Sequence, residues 1–130
     1  MNALALVLLA FFPLASVHAQ GCDNALTQLE MNQCAQKAYI QAENILEKDY
    51  RGVWQRTDAP QRRLLETAQQ RWHEYRQADC EFQYYAAQQG SIGLMSRILC
   101  LTDKTLERSR EFKLLLHCPE GDIECALLPE

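Results

Sequence analysis

Six cysteines follow an N-terminal segment that is strongly apolar and free of Asp, Glu, Lys and Arg, which predicts an exported, oxidised domain held by disulfides. Leu4 through Leu9, then Phe11, Phe12 and Leu14, form an apolar run that closes on Val17-His18-Ala19, a small-residue cleavage pattern of the A-x-A type. The expected division is a signal peptide over residues 1–19 and a mature chain from Gln20, released to the periplasm or secreted. Pro13 interrupts a run already shorter than the ~20 residues of a spanning helix, so no stable membrane insertion is expected. Gly21 before Cys22 leaves a lipid anchor on Cys22 as an alternative, although Ala19 and Gln20 stand where such sites favour other residues.

The mature chain suffices for one domain of modest size, which buries only part of its surface on folding. Three bridges would each contribute ~2–4 kcal/mol by restricting the unfolded chain. Metal binding is the rival use of cysteine, but no C-x-x-C pair occurs and His73 and His117 have no ligand-like spacing, so neither metal nor cofactor is expected. The net charge of −4 has a local origin. Glu120, Asp122, Glu124 and Glu130, four of the 17 acidic residues, follow Cys118, and the body has as many acids as its 13 Lys and Arg. Residues 118–130 read as a solvated acidic tail. Nucleic-acid binding has no basis, because there is no basic stripe with interleaved aromatics.

Periodicity predicts an all-α fold, a long antiparallel helical hairpin with a third packed helix, over residues 20–117. Thr27-Gln28-Leu29-Glu30 is a capping box that starts the first helix. Met31, Cys34 or Ala35, Ala38, Ala42, Ile45, Leu46, Asp49 and Val53 then trace one face as far as Trp54. Gln55 to Pro60 breaks the pattern, with Thr57 or Asp58 as the next cap and Pro60 in the first turn. Leu65, Ala68, Trp72, Tyr75, Asp79, Phe82 and Ala86 make a near-heptad stripe on the second helix, which Gly90, Ser91 and Gly93 end. Leu94, Ile98, Leu101, Thr105, Arg108 or Ser109, Phe112 and Leu115 mark the third, and Pro119 stops it.

Six cysteines allow 15 connectivities. Cys80 and Cys100 lie equally far either side of Gly90, so antiparallel helices turning there bring them level. Cys22 can fold back on Cys34, and Cys118 with Cys125 would close a local loop. Cys34 with Cys80 competes, since both lie equally far from the first interhelical turn.

Two blocks of residues carry a family resemblance. Cys22, Thr27, Glu30, Met31, Asn32, Cys34, Ala42, Leu46 and Tyr50 form the first. Ala68-Gln69-Gln70-Arg71-Trp72 with Tyr75, Arg76, Ala78 and Cys80 forms a Q-x-x-W-x-x-Y-R-x-x-x-C pattern, completed by Gly90-Ser91, Cys100, Thr105, Arg108 and Phe112. Over residues 22 to about 115 the chain resembles the lysozyme-inhibitor LprI-like N-terminal domain family, whose structural motif falls on Trp72, Tyr75, Arg76, Thr105 and Arg108. Glu43 and Glu47 replace the usual Asp and Asn, Gln77 replaces a usual Asp, and Cys118 with Cys125 lies outside the pattern. The resemblance implies an exported, non-enzymatic protein that binds and inhibits lysozyme.

Read without the family, Trp72, Tyr75 and Phe82 share a helix face and are expected to fill the core. Arg76 and Asp79 stand three residues apart and could pair, with Arg108 reaching across from the third helix. This set would fix helix register or form a polar pocket for a partner's side chain. No nucleophile, base and orienting acid share a recognisable arrangement, and no enzymatic activity is expected. The expected binding element is the turn Gln89, Gly90, Ser91, Ile92 and Gly93, braced by a bridge between Cys80 and Cys100, with Gln55 to Pro60 second. An envelope adaptor or structural module that binds another protein is the alternative function.

Overall fold

The computed structural model describes Cys22, residues 24–119 and residues 121–127. The leader over 1–19, the start at Gln20, and tail residues Glu120 and Glu130 lie outside this set. Among the described residues there are three long helices, α1 (Gln28–Gln55), α2 (Ala59–Gln83) and α3 (Ser91–Leu116), a short 3-10 helix (Tyr85–Gln89), and no strand.

Capping fixes where the helices begin. Thr27 accepts from the Glu30 amide at 3.2 Å, while the Glu30 carboxylate accepts from Leu26 and Thr27 at 2.8 and 2.9 Å. These amides hold the Glu30 carboxyl below the usual carboxylate range. Asp58 caps α2 by accepting from Gln61 at 2.8 Å, with Pro60 in the first turn. Arg62 then donates to the carbonyls of Trp54 and Thr57 at 3.2 and 2.9 Å and lies 3.6 Å over the Trp54 ring, closing the end of α1.

Cross-links give the topology. Asp49 with Ser109, and Arg56 with the Leu116 carbonyl, both join residues 60 apart, so α1 and α3 run parallel. Trp54 reaches Glu66 and Glu43 reaches Arg76, so α2 runs antiparallel to α1, and α3 returns antiparallel to α2. The backbones of α1 and α3 make the closest approach, and α2 lies across both at side-chain distance. The α1 face carrying Ala35, Ala42, Leu46, Asp49 and Val53 is buried, as is the α3 face with Ile98, Leu101, Thr105, Ser109 and Phe112.

The inward face of α2 differs from the aromatic stripe. Gln69, Arg76 and Cys80 are buried, and Leu65 and Trp72 are half-buried against the core. Tyr75 is 57% exposed and Phe82 80% exposed. Seven residues of a real helix turn about 20° short of two full turns, so a stripe read at heptad spacing drifts off the buried face along α2. The residues facing inward are partly polar because α2 meets the other helices through hydrogen bonds.

Bridges join Cys22 to Cys34, Cys80 to Cys100, and Cys118 to Cys125, at Cα separations of 5.6, 5.8 and 5.8 Å. The Cys22 sulfur, bonded to Cys34, cannot also carry a thioether lipid. Cys80 is fully buried, beside Cys100 and Leu101. The tail is not simply a solvated terminus. Asp122, Ile123 and Glu124 are exposed, but Leu127 is 5% exposed within one apolar cluster with Leu46, Val53 and Phe112. The Cys118–Cys125 loop turns the chain back at Gly121, where φ is +82°, and the Gln61 side-chain amide donates to the Ala126 carbonyl. The apolar tail residues supply a stabilisation that the acidic composition conceals.

Candidate functional site

Three arrangements could bear function: a buried polar cluster, a notch between α1 and α2, and the end of the bundle at which α2 turns into α3.

In the first, Arg76 is 3% exposed and donates to Thr105 Oγ1 at 2.6 Å and to the Glu43 carboxylate. Its guanidinium lies 4.8 Å from the Trp72 ring centre and 5.6 Å from that of Tyr39. Thr105 donates in turn to the Leu101 carbonyl at 2.6 Å. Asp79 does not join this group. It pairs with Lys104 at 2.6 Å and accepts from Gln83 at 2.7 Å. The ammonium of Lys104 holds the Asp79 carboxyl below the usual range, and the same bond raises Lys104. Arg108 also goes elsewhere, donating to Gln69 at 3.1 Å and pairing with Glu111, with its guanidinium 4.5 Å from the Phe112 ring centre. Arg76, Asp79 and Arg108 therefore serve three separate contacts between or along helices. Their polar partners differ, although Arg76 and Arg108 both lie over the Trp72 ring, at 4.8 and 5.9 Å from its centre.

The notch encloses about 410 Å³, with Leu46 and Tyr50 on its floor and Glu43, Glu47, Glu66 and Glu74 around it. Each carboxylate has a partner: Arg76 for Glu43, Arg51 at 2.7 Å for Glu47, Trp54 Nε1 at 3.1 Å for Glu66, and Arg71 at 2.9 Å for Glu74. His73 borders the notch, and burial, then the nearby Arg76 guanidinium, lowers its pKa. Among the described residues no group of three or more His, Cys, Asp and Glu could hold a metal ion. No helix there is long and apolar enough to cross a membrane.

The third arrangement contains the turn Gln89 to Gly93. Two bridges brace this end, Cys80–Cys100 between α2 and α3 and Cys22–Cys34 at the start of α1. Arg97 ties α3 to Gln77 and Glu81 of α2 at 2.9 and 3.2 Å, and Gln28 of α1 reaches the Met95 sulfur at 3.8 Å. Gly93 is buried, and a Cβ there would lie 1.9 Å from the Ala87 carbonyl oxygen. Only glycine lets α3 approach the 3-10 helix this closely. Gln89, Gly90, Ser91 and Ile92 are exposed and form the available part of the turn, while Gly93 is structural.

Large apolar side chains accompany the turn into solvent: Phe82 at 80%, Tyr85 at 75%, Ile92 at 57% and Leu94 at 55% exposed, with Leu26 and Leu29 at the neighbouring start of α1. The signal missed in the sequence is an absence. Residues 82–96 contain no Asp, Glu, Lys, Arg or His, although 23% of the chain is charged. A helical end with exposed apolar groups and no charge presents a surface suited to a partner.

Comparison with known proteins gives the helical body a family. The chain matches the family described as Lysozyme inhibitor LprI over residues 21–112. It is 31% identical over 113 residues to an uncharacterized protein of Rhizobium meliloti (strain 1021), covering 77% of this chain and 81% of that protein. No solved structure matches. The family match includes both bridges that brace the bundle end and the Arg76, Thr105 and Glu43 cluster, but stops before Cys118. This chain belongs to the Lysozyme inhibitor LprI family.

Proposed function

We propose that this protein is an exported, non-enzymatic ligand of lysozyme that inhibits it, and that the turn Gln89 to Ile92 with its exposed apolar neighbours is the contact surface. The observation that carries the reading is the family match across the helical body, residues 21–112. Oxidised bridges, including one with a fully buried cysteine, suit the periplasm or the outside of the cell. The turn is the element of the body that combines rigidity with exposed apolar area. Rigidity matters because ordering costs met during folding are not charged again on binding. The acidic tail could attract a cationic enzyme over a distance, without fixing its orientation.

Purified oxidised protein should slow the clearing of bacterial cell walls by at least one member of a panel of lysozymes of different structural classes. No inhibition across the panel, together with recovery from periplasmic extract of another protein that added lysozyme fails to displace, would replace this reading with an envelope adaptor.

A further inference from the structure

We infer that the notch between α1 and α2 is a second binding site, which takes an arginine side chain of a peptide together with a backbone carbonyl of the same peptide. The site is separate from the turn and does not depend on the lysozyme reading. Glu74, its last residue on α2, precedes Phe82 by eight residues, roughly 12 Å along the helix.

Gln69 carries the assignment. It lines the notch at 8% exposure, and its Oε1 accepts from Arg108 Nε at 3.1 Å. Its side-chain amide nitrogen donates to no acceptor among the described residues. With the oxygen committed to Arg108, the amide NH2 is left to the notch, as a nearly buried donor whose unpaired state is costly. Glu66 supplies an independent observation. Its carboxylate accepts from the neutral Trp54 Nε1 at 3.1 Å and pairs with no cation among the described residues. The other rim carboxylates differ: Glu43 is locked to buried Arg76, while Glu47 and Glu74 hold Arg51 and Arg71 in exposed pairs that contribute little and can exchange. The floor is apolar and fixed, since Leu46 is buried and the Tyr50 ring lies 5.8 Å from that of fully buried Phe112.

A ligand that satisfies these groups brings a positive head for Glu66, an apolar stem for the floor and an acceptor for Gln69. An arginine residue within a peptide has all three. Its methylenes can lie along Leu46 and Tyr50, its planar guanidinium forks onto carboxylate oxygens, and the peptide carbonyl accepts from the amide. Lysine offers a more strongly hydrated point charge without the fork. A simple diamine offers head and stem but no acceptor, and would leave the Gln69 donor unpaired. The volume of about 410 Å³ lies in the ~300–1,000 Å³ range of ligand pockets.

The test titrates the intact, oxidised, isotope-labelled protein with a blocked tripeptide, arginine between two alanines, and follows the Gln69 side-chain amide by NMR. Its resonances should shift saturably with a Kd of about 1 mM or tighter. Citrulline in place of arginine, similar in shape but uncharged, should weaken binding about tenfold or more. Glu66→Gln should raise the Kd about fivefold, whereas Glu107→Gln, the same change at an exposed α3 position outside the notch, should leave it unchanged. Putrescine should bind more weakly than the tripeptide and leave the Gln69 amide unmoved. No shift at about 10 mM tripeptide, or equal binding of the citrulline peptide, would overturn the site. Putrescine binding as tightly as the tripeptide would overturn the peptide assignment.

Discussion

Arg76 on α2 donates to the hydroxyl of Thr105 on α3 at 2.6 Å while pairing with Glu43 on α1, so one side chain joins all three helices. Its guanidinium is almost wholly buried, and the Glu43 side chain is 34% exposed. Arg76→Ala would leave Thr105 without its donor and Glu43 without its cation. Because water can reach Glu43, the loss should fall near the low end of the range for a broken buried pair, about 3 kcal/mol. Urea melts check this, and a change within ~0.5 kcal/mol would show that the pair does not hold the bundle.

Leu127 makes a second stability test. It lies in the Leu46, Val53 and Phe112 cluster, beyond the last helix and held there by the Cys118–Cys125 loop. Leu127→Ala should cost about 2–3 kcal/mol, as do other truncations of buried leucine. A chain ending at His117 should be destabilised at least as much. Equal melting of wild type and truncated chain would mean that the tail does not pack.

These two sites show what the sequence discloses. The inward faces of α1 and α3 are legible because Ala42, Leu46, Val53, Leu101 and Phe112 recur at helical spacing and are all buried. The α2 face is obscured because Gln69 and Arg76 face inward and Phe82 and Tyr75 face solvent, reversing the usual relation of polarity to burial. Glu43 as the partner of Arg76 depends on how α2 crosses α1, which sequence proximity to Asp79 does not reveal. Leu127 is hidden by its acidic surroundings. The turn at Gly90 to Gly93 is plain from its residue types, but its exposed apolar groups emerge only when the missing charges are noticed.

Two glycines three residues apart should respond oppositely to the same change. A Cβ on Gly90 meets nothing within 4 Å at a φ of −128°, so Gly90→Ala should change stability by less than ~0.5 kcal/mol. Gly93→Ala drives a methyl into the Ala87 carbonyl and should cost about 1–3 kcal/mol or more. It should also displace the turn and weaken lysozyme binding. Equal tolerance at both positions, read by thermal melts, would contradict the close approach of α3 to the 3-10 helix.

The pH dependence of stability should have an identifiable histidine limb. Burial and the neighbouring guanidinium of Arg76 lower the folded pKa of His73, with Arg108 acting in the same direction and Glu43 and Glu47 opposing. The unfolded chain then binds a proton more readily, so stability is full above the ordinary histidine value of about 6.5 and declines as pH falls through that value toward the folded pKa. His73→Gln should flatten this limb. Asp79, whose folded pKa is also lowered, contributes stability above the ordinary carboxylate range that is lost in stronger acid as pH falls through its folded pKa. Melts of the Asp79→Asn variant should lack that acid limb alone; an unchanged profile in both variants would contradict the assignments.

The most direct measurement of the central claim compares lysozyme inhibition by three proteins at 0.1 M and 1 M salt: wild type, a variant with Ile92→Ser and Tyr85→Ser, and a variant with Glu120→Gln, Asp122→Asn, Glu124→Gln and Glu130→Gln. Raising the salt shortens the Debye length from ~10 Å to ~3 Å and so removes long-range attraction between exposed charges. If the bundle end is the contact surface, wild type and the neutralised-tail variant inhibit alike and keep most of their inhibition at 1 M salt, while the turn variant loses at least tenfold at both. Inhibition that disappears with the tail carboxylates or with salt, and survives in the turn variant, would contradict it.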